Sequence, residues 1–95
     1  MIIQIIRLKS NLEESELLSR AEKRLPQFKA IAGLLQKYYV KLAEPGQYGG
    51  LYVWESREAL KEFQSSELAA SIPAAYEIIE APDVELLEVF SALRE

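Results

Sequence analysis

Apolar and polar positions along this chain follow two periods, and each change of period marks a new element. Ile2 to Lys9 puts Ile2, Gln4, Ile6 and Leu8 on one face and Ile3, Ile5 and Arg7 on the other. Apolar residues on both faces predict a strand covered on both sides. Leu17, Leu18, Ala21, Leu25 and Phe28 then recur at helical spacing. Ser10 and Asn11 offer cap chemistry, with Glu14 placed as a capping-box partner. Pro26 lacks the N–H that the preceding turn requires, which predicts a kink or a short break near Leu25, and Gly33 reads as the C-terminal stop.

Leu34 to Leu42 reads as the second strand, and Glu44-Pro45-Gly46-Gln47-Tyr48-Gly49 as the turn after it. Leu51 to Trp54 is a third strand, so the two form an antiparallel hairpin. Ser56 opens a helix on which Ala59, Leu60 and Phe63 share a face. Leu68, Ile72 and Tyr76 predict one or two short helical turns around Pro73. Val84 to Phe90 is the last strand, with Val84, Leu86 and Phe90 on one face and Leu87 and Val89 on the other.

The order strand, helix, strand, strand, helix, strand is the ferredoxin-like βαββαβ arrangement. It is an α+β fold with a four-stranded antiparallel sheet, expected here as one domain over residues 1–95. Two helices cover one side of such a sheet, yet the strands are apolar on both. The uncovered side predicts a homodimer that pairs two sheets face to face.

Composition narrows the function classes. With 49% hydrophobic residues the chain lies above the disordered range, and no apolar run has the length of a membrane span. The N-terminal apolar run is short and meets Arg7 at once, so it reads as a strand rather than a signal peptide, and with no cysteine present a cytoplasmic setting is expected. A net charge of −4 argues against a nucleic-acid partner. The absence of histidine removes the commonest general base together with the usual haem and zinc ligand. No metal site or cofactor is expected.

Four residues stand out as candidate ligand contacts. Tyr52 and Trp54, two apart on a strand, point to one side of the sheet, and with Tyr39 they form either a core or the wall of a pocket for a planar ligand. Lys37 shares a strand face with Tyr39 and Leu35. It either holds a phenolate or enolate or snorkels to the sheet rim. Gln4 and Arg7 lie on opposite faces, so at most one of them enters a given cavity.

Gly33-Leu34-Leu35-Gln36-Lys37-Tyr38-Tyr39 and Gly49-Gly50-Leu51-Tyr52-Val53-Trp54-Glu55-Ser56 resemble the YdhR-like branch of the dimeric α/β-barrel superfamily. The resemblance covers the order of elements over essentially the whole chain. Gln36 stands where that pattern usually has a Trp. The resemblance implies a dimeric α/β barrel and a monooxygenase working without metal, haem or flavin on an aromatic or polyketide-like compound. Lys37, Tyr39, Tyr52 and Trp54 would be its substrate contacts. A non-catalytic dimer binding a small hydrophobic ligand, or a structural or regulatory dimer, satisfies the same residues. The resemblance, not the residues themselves, favours an enzyme.

Overall fold

The computed structural model describes residues 1–94. Four strands, β1 (Ile2–Lys9), β2 (Leu34–Lys41), β3 (Gln47–Trp54) and β4 (Asp83–Glu88), form one antiparallel sheet in the order β2-β3-β1-β4. Helices α1 (Glu14–Lys29), α2 (Arg57–Gln64) and α3 (Glu67–Ala75) complete the ferredoxin-like arrangement. The register sets Ile2 opposite Trp54 and Gln4 opposite Tyr52, so the inward face of β1 and the aromatic face of β3 form one surface under the helices.

That surface meets the α1 stripe, where Leu17, Ala21 and Phe28 are buried, and the α2 pair Leu60 and Phe63. Phe28, Tyr52, Trp54 and Phe63 form an aromatic cluster with ring centroids 5.2–6.4 Å apart. These are the tilted and offset separations at which ring quadrupoles attract. Ser56 caps α2 as its position predicts, its hydroxyl accepting from the Ala59 N–H at 3.2 Å.

Several local expectations are corrected. The N-cap of α1 is Glu13, without a side-chain cap bond, because Ser10 is used otherwise: its hydroxyl donates to the Tyr76 carbonyl and accepts from the Leu12 N–H. Helix α1 runs through Pro26 without a break, Pro26 sitting on its exposed side. The tertiary packing of Ala21 and Phe28 on either side outweighs one missing hydrogen bond. The helix ends at Lys29, so Gly33 is a loop residue and not its cap. The turns around Pro73 form a nine-residue helix, α3, opened by Ser66, whose hydroxyl accepts from the Ala69 N–H. β4 stops at Glu88, leaving Phe90 outside the sheet and almost wholly exposed.

The helix-free face carries Ile3, Ile5, Leu51 and Val53 half-buried, with Tyr38 and Leu87 exposed beside them. The two-sided apolar character of β1 is therefore real, and one of its sides has no cover within this chain.

Gly33 fixes the joint between α1 and β2. Its φ of +84° lies in the left-handed region, and an added Cβ would stand 2.5 Å from the Ala59 Cβ on α2. Its carbonyl also accepts from the Glu55 N–H at 2.8 Å. Gly33→Ala is expected to cost about 2–4 kcal/mol, the sum of backbone strain and overpacking. Urea unfolding checks this, and a loss below about 0.5 kcal/mol would mean that the joint yields freely.

Candidate functional site

The site begins with an irregularity in β2. Leu34 pairs with Trp54 and Gln36 with Val53, so β2 spends one more residue than β3 and Leu35 is the extra one. A bulge of this kind reverses the alternation that follows it. Lys37 then falls opposite Tyr52, and Tyr39 opposite Gly50, both on the face beneath the helices. In a regular ladder, with Leu35 paired to Val53, they would point to the helix-free side. Gly50 keeps the floor low there: a Cβ on it would press on the Tyr52 ring at 2.9 Å and touch the Lys37 stem at 3.5 Å.

The Lys37 ammonium group is enclosed by ring faces. Its Nζ lies 3.6 Å from the Phe28 ring centroid, 4.4 Å from Tyr39 and 4.7 Å from Tyr52. No salt bridge reaches it among the described residues. The aromatic faces favour a cation, but burial opposes the charge more strongly, and the Arg24 guanidinium adds like-charge repulsion. The Lys37 pKa is pushed down to about 7.

Arg24 comes from α1. Its Nη2 donates to the Ser71 hydroxyl at 2.7 Å, and its guanidinium carbon lies 5.9 Å from the Phe28 centroid and 5.6 Å from that of Tyr76. Its Nε is buried without a partner, as are the hydroxyls of Tyr39 and Tyr76. Burial raises the pKa of Tyr39 to about 12, with Tyr76 adding to the rise and Arg24 opposing it. Burial likewise raises Tyr52 and Tyr76. All three phenols are therefore neutral at physiological pH. Lys37 and the phenols of Tyr39, Tyr52 and Tyr76 line the adjoining spaces with no carboxylate among the lining residues, and Arg24 stacks beside them on Phe28 and Tyr76. Such a set is arranged to receive an anion.

Two spaces adjoin these groups. One, about 30 Å³, lies between the sheet and the helices, with Lys37, Tyr39, Tyr52 and Tyr76 on its walls. That volume suits about one water molecule. The other is an open cleft of about 310 Å³ between β2 and α1, lined by Leu25, Phe28, Leu34, Gln36, Lys37 and Tyr39 among others. Lys37 and Tyr39 border both.

The structure thus brings Lys37, Tyr39 and Tyr52 together and sets Trp54 apart. Trp54 is fully buried and lines neither space. It stacks on Tyr52 with ring planes 3° apart and centroids 6.0 Å apart, and its Nε1 donates to Gln4 Oε1 at 3.0 Å. Gln4 is accordingly a core partner, while Arg7 pairs with Asp83 and Glu85 away from the site. Arg24 was not singled out in the sequence, and Phe28 and Tyr76 were read only as helix-packing positions. Arg24 had a signal, lying three residues after Ala21 and four before Phe28 on the buried stripe. Tyr76 had none, because its position depends on the turn after α3.

No protein-family model matches the chain, and no curated protein does. Solved structures do resemble it. SnoaB, a cofactor-independent oxygenase from Streptomyces nogalater, superposes with a TM-score of 0.77 at 14% identity, over 99% of this chain and 97% of that one. A protein named as a candidate antibiotic biosynthesis monooxygenase from Caulobacter crescentus gives 0.77 at 22% identity, over 95% and 90%. Another of that description from Bordetella bronchiseptica gives 0.78 at 17%, over 95% and 97%. The fold of this chain is that of the antibiotic biosynthesis monooxygenase-like structures on which it superposes.

Proposed function

We propose that this chain is a cofactor-independent monooxygenase, of the YdhR-like branch, acting on an acidic aromatic or polyketide-like compound. The observation that carries the reading is a lysine of lowered pKa beside Arg24 on an aromatic wall that lacks carboxylates. Neutral Lys37 takes a proton from a phenol or an activated C–H. The ammonium so formed then holds the phenolate or enolate. The carbanion adds dioxygen to give a hydroperoxide, and loss of water leaves a new carbonyl. Tyr39 and Tyr52 contact the ring of the substrate, and Trp54 supports Tyr52 from behind. The cofactor-independent oxygenase among the structural neighbours supports this chemistry.

Anthrone- and hydroquinone-type compounds are expected to consume oxygen in the presence of the protein, measured with an oxygen electrode. A second reading, a module that sequesters such compounds, is favoured by the open cleft of about 310 Å³ with its apolar walls Leu25, Phe28 and Leu34. Quenching of Trp54 fluorescence by the ligand with no product formed would select it, and no turnover across a phenolic panel would leave the enzyme reading without support.

The working unit is proposed to be a homodimer formed through the helix-free sheet face. Tyr38 and Leu87 on that face are exposed, as are Phe90 and Leu93 beyond β4, and a second copy would cover this apolar surface. Sedimentation at micromolar concentration is expected to give a dimer, and a clean monomer would refute it.

A further inference from the structure

We propose that Lys37 is a nucleophilic amine that condenses with the carbonyl carbon of a small apolar aldehyde or ketone entering through the β2–α1 cleft. This goes beyond the role of Lys37 as an acid–base and anion-holding group. It asks that Nζ itself become bonded to carbon.

Three features of the site carry the proposal. Nζ sits among the Phe28, Tyr39 and Tyr52 rings at 3.6–4.7 Å, with no salt bridge among the described residues to hold it as a cation. The charge that acts on it is another cation, Arg24, fixed by its bonds to Ser71 Oγ and the Leu68 carbonyl. A lysine desolvated against apolar walls and beside a second cation is the arrangement that keeps an amine neutral and reactive. Finally, the cleft offers room, about 310 Å³, with Leu25, Phe28 and Leu34 as apolar walls.

The groups facing Nζ are Arg24 from α1, Tyr39 on β2, Tyr52 on β3 and Tyr76 after α3, with Lys29 at the cleft. None is a carboxylate. The lowered Lys37 pKa, about 7, agrees with this environment. Exposed Lys9 and Lys41 differ: each is paired with a carboxylate, Glu80 at 2.8 Å and Glu14 at 3.0 Å, and each is raised.

The step balances without an external oxidant or reductant. The Nζ lone pair forms the C–N bond while the carbonyl π pair moves to oxygen, which takes up a proton as nitrogen gives one up. The resulting carbinolamine loses its hydroxyl with a second proton as water, and the nitrogen lone pair closes the C=N bond. The unpartnered hydroxyls of Tyr39 and Tyr76 are placed in the same site as proton donors for that departure.

Acetylacetone and benzaldehyde are suitable probes, the first forming an ultraviolet-absorbing enaminone and the second an imine that borohydride fixes as a secondary amine. At pH 7 the folded protein is expected to be modified first at Lys37, about tenfold or more faster than at any other lysine, as read by peptide mass mapping. The rate should follow a single ionisation near the Lys37 pKa of about 7. Lys37→Arg should abolish the fast phase, and the wild-type map decides the matter even where that variant folds poorly. Modification of Lys37 no faster than of the exposed lysines would overturn the proposal. The acid–base reading fails separately: it falls if phenolate binding and oxygen consumption are the same in Lys37→Met as in the wild type, whatever the carbonyl probes do.

Discussion

Trp54→Ala is expected to destabilise the protein by about 3–5 kcal/mol, the largest effect of any single truncation in this core. Trp54 is wholly buried, lies 5.2 Å from the Phe63 centroid and stacks on Tyr52, so its removal opens a void in the middle of the aromatic cluster. It also leaves the buried Gln4 amide oxygen without its donor. A loss of that size is a large part of the 5–15 kcal/mol that holds a typical domain together. Urea unfolding of Trp54→Phe separates the two contributions, since Phe keeps most of the packing but not the N–H. Trp54→Phe with Gln4→Leu should recover part of the difference. A Trp54→Ala loss under about 1 kcal/mol would show that the cluster collapses freely around the gap. Slower turnover in Trp54→Ala would therefore report a loosened Tyr52 and not a missing substrate contact.

Lys37→Met is expected to do two opposite things. Without ligand it should stabilise the protein at and below pH 7, because a largely buried cation with no carboxylate partner among the described residues is removed. Lys37 has a pKa of about 7 in the fold against 10.5 when unfolded. Below pH 7 both states carry the proton. Between pH 7 and 10.5 the unfolded chain binds it and the native one does not, so native stability rises with pH. The slope reaches about 1.4 kcal/mol per pH unit at most. The aromatic faces return part of the ammonium's cost and reduce the total. Unfolding at pH 6, 7, 8 and 9 reads this slope before the tyrosines begin to titrate; it should be present in the wild type and missing in Lys37→Met. Parallel stability curves for the two proteins would place Lys37 in water. With ligand the sign reverses: Lys37→Met should lose about 1–3 kcal/mol of affinity for an anionic phenol, the scale of a charge-assisted hydrogen bond.

Much of the architecture was legible because it rests on local periods. The apolar alternation of β1, the aromatic run of β3 and the Ser56 cap of α2 each arise from residues a few positions apart and are found in place. β3 nevertheless begins at Gln47, inside the residues read as a turn, because Gln47 to Gly50 pair with β1. The misread boundaries have a common cause. Ser10 looked like a helix cap, but its hydroxyl donates to the Tyr76 carbonyl, 66 residues away. Gly33 looked like a helix stop, but its positive φ serves the approach of α2 through Ala59.

The candidate site divides in the same way. Lys37, Tyr39 and Tyr52 were legible as candidates from residue type and strand position in a chain without histidine. Which side of the sheet Lys37 and Tyr39 face was not, because alternation in a strand is reversed by one extra residue. Leu35 is that residue only by virtue of the pairing of Leu34 with Trp54 and Gln36 with Val53 across the hairpin. Arg24 joins them from α1 and Tyr76 from the end of α3, at sequence separations that no local period spans. The strand and helix patterns determined the sheet and its helices. Long-range pairing alone decided that a lysine and three phenols share one carboxylate-free space with an arginine stacked beside it, because burial and charge proximity belong to the folded chain and not to any segment of it.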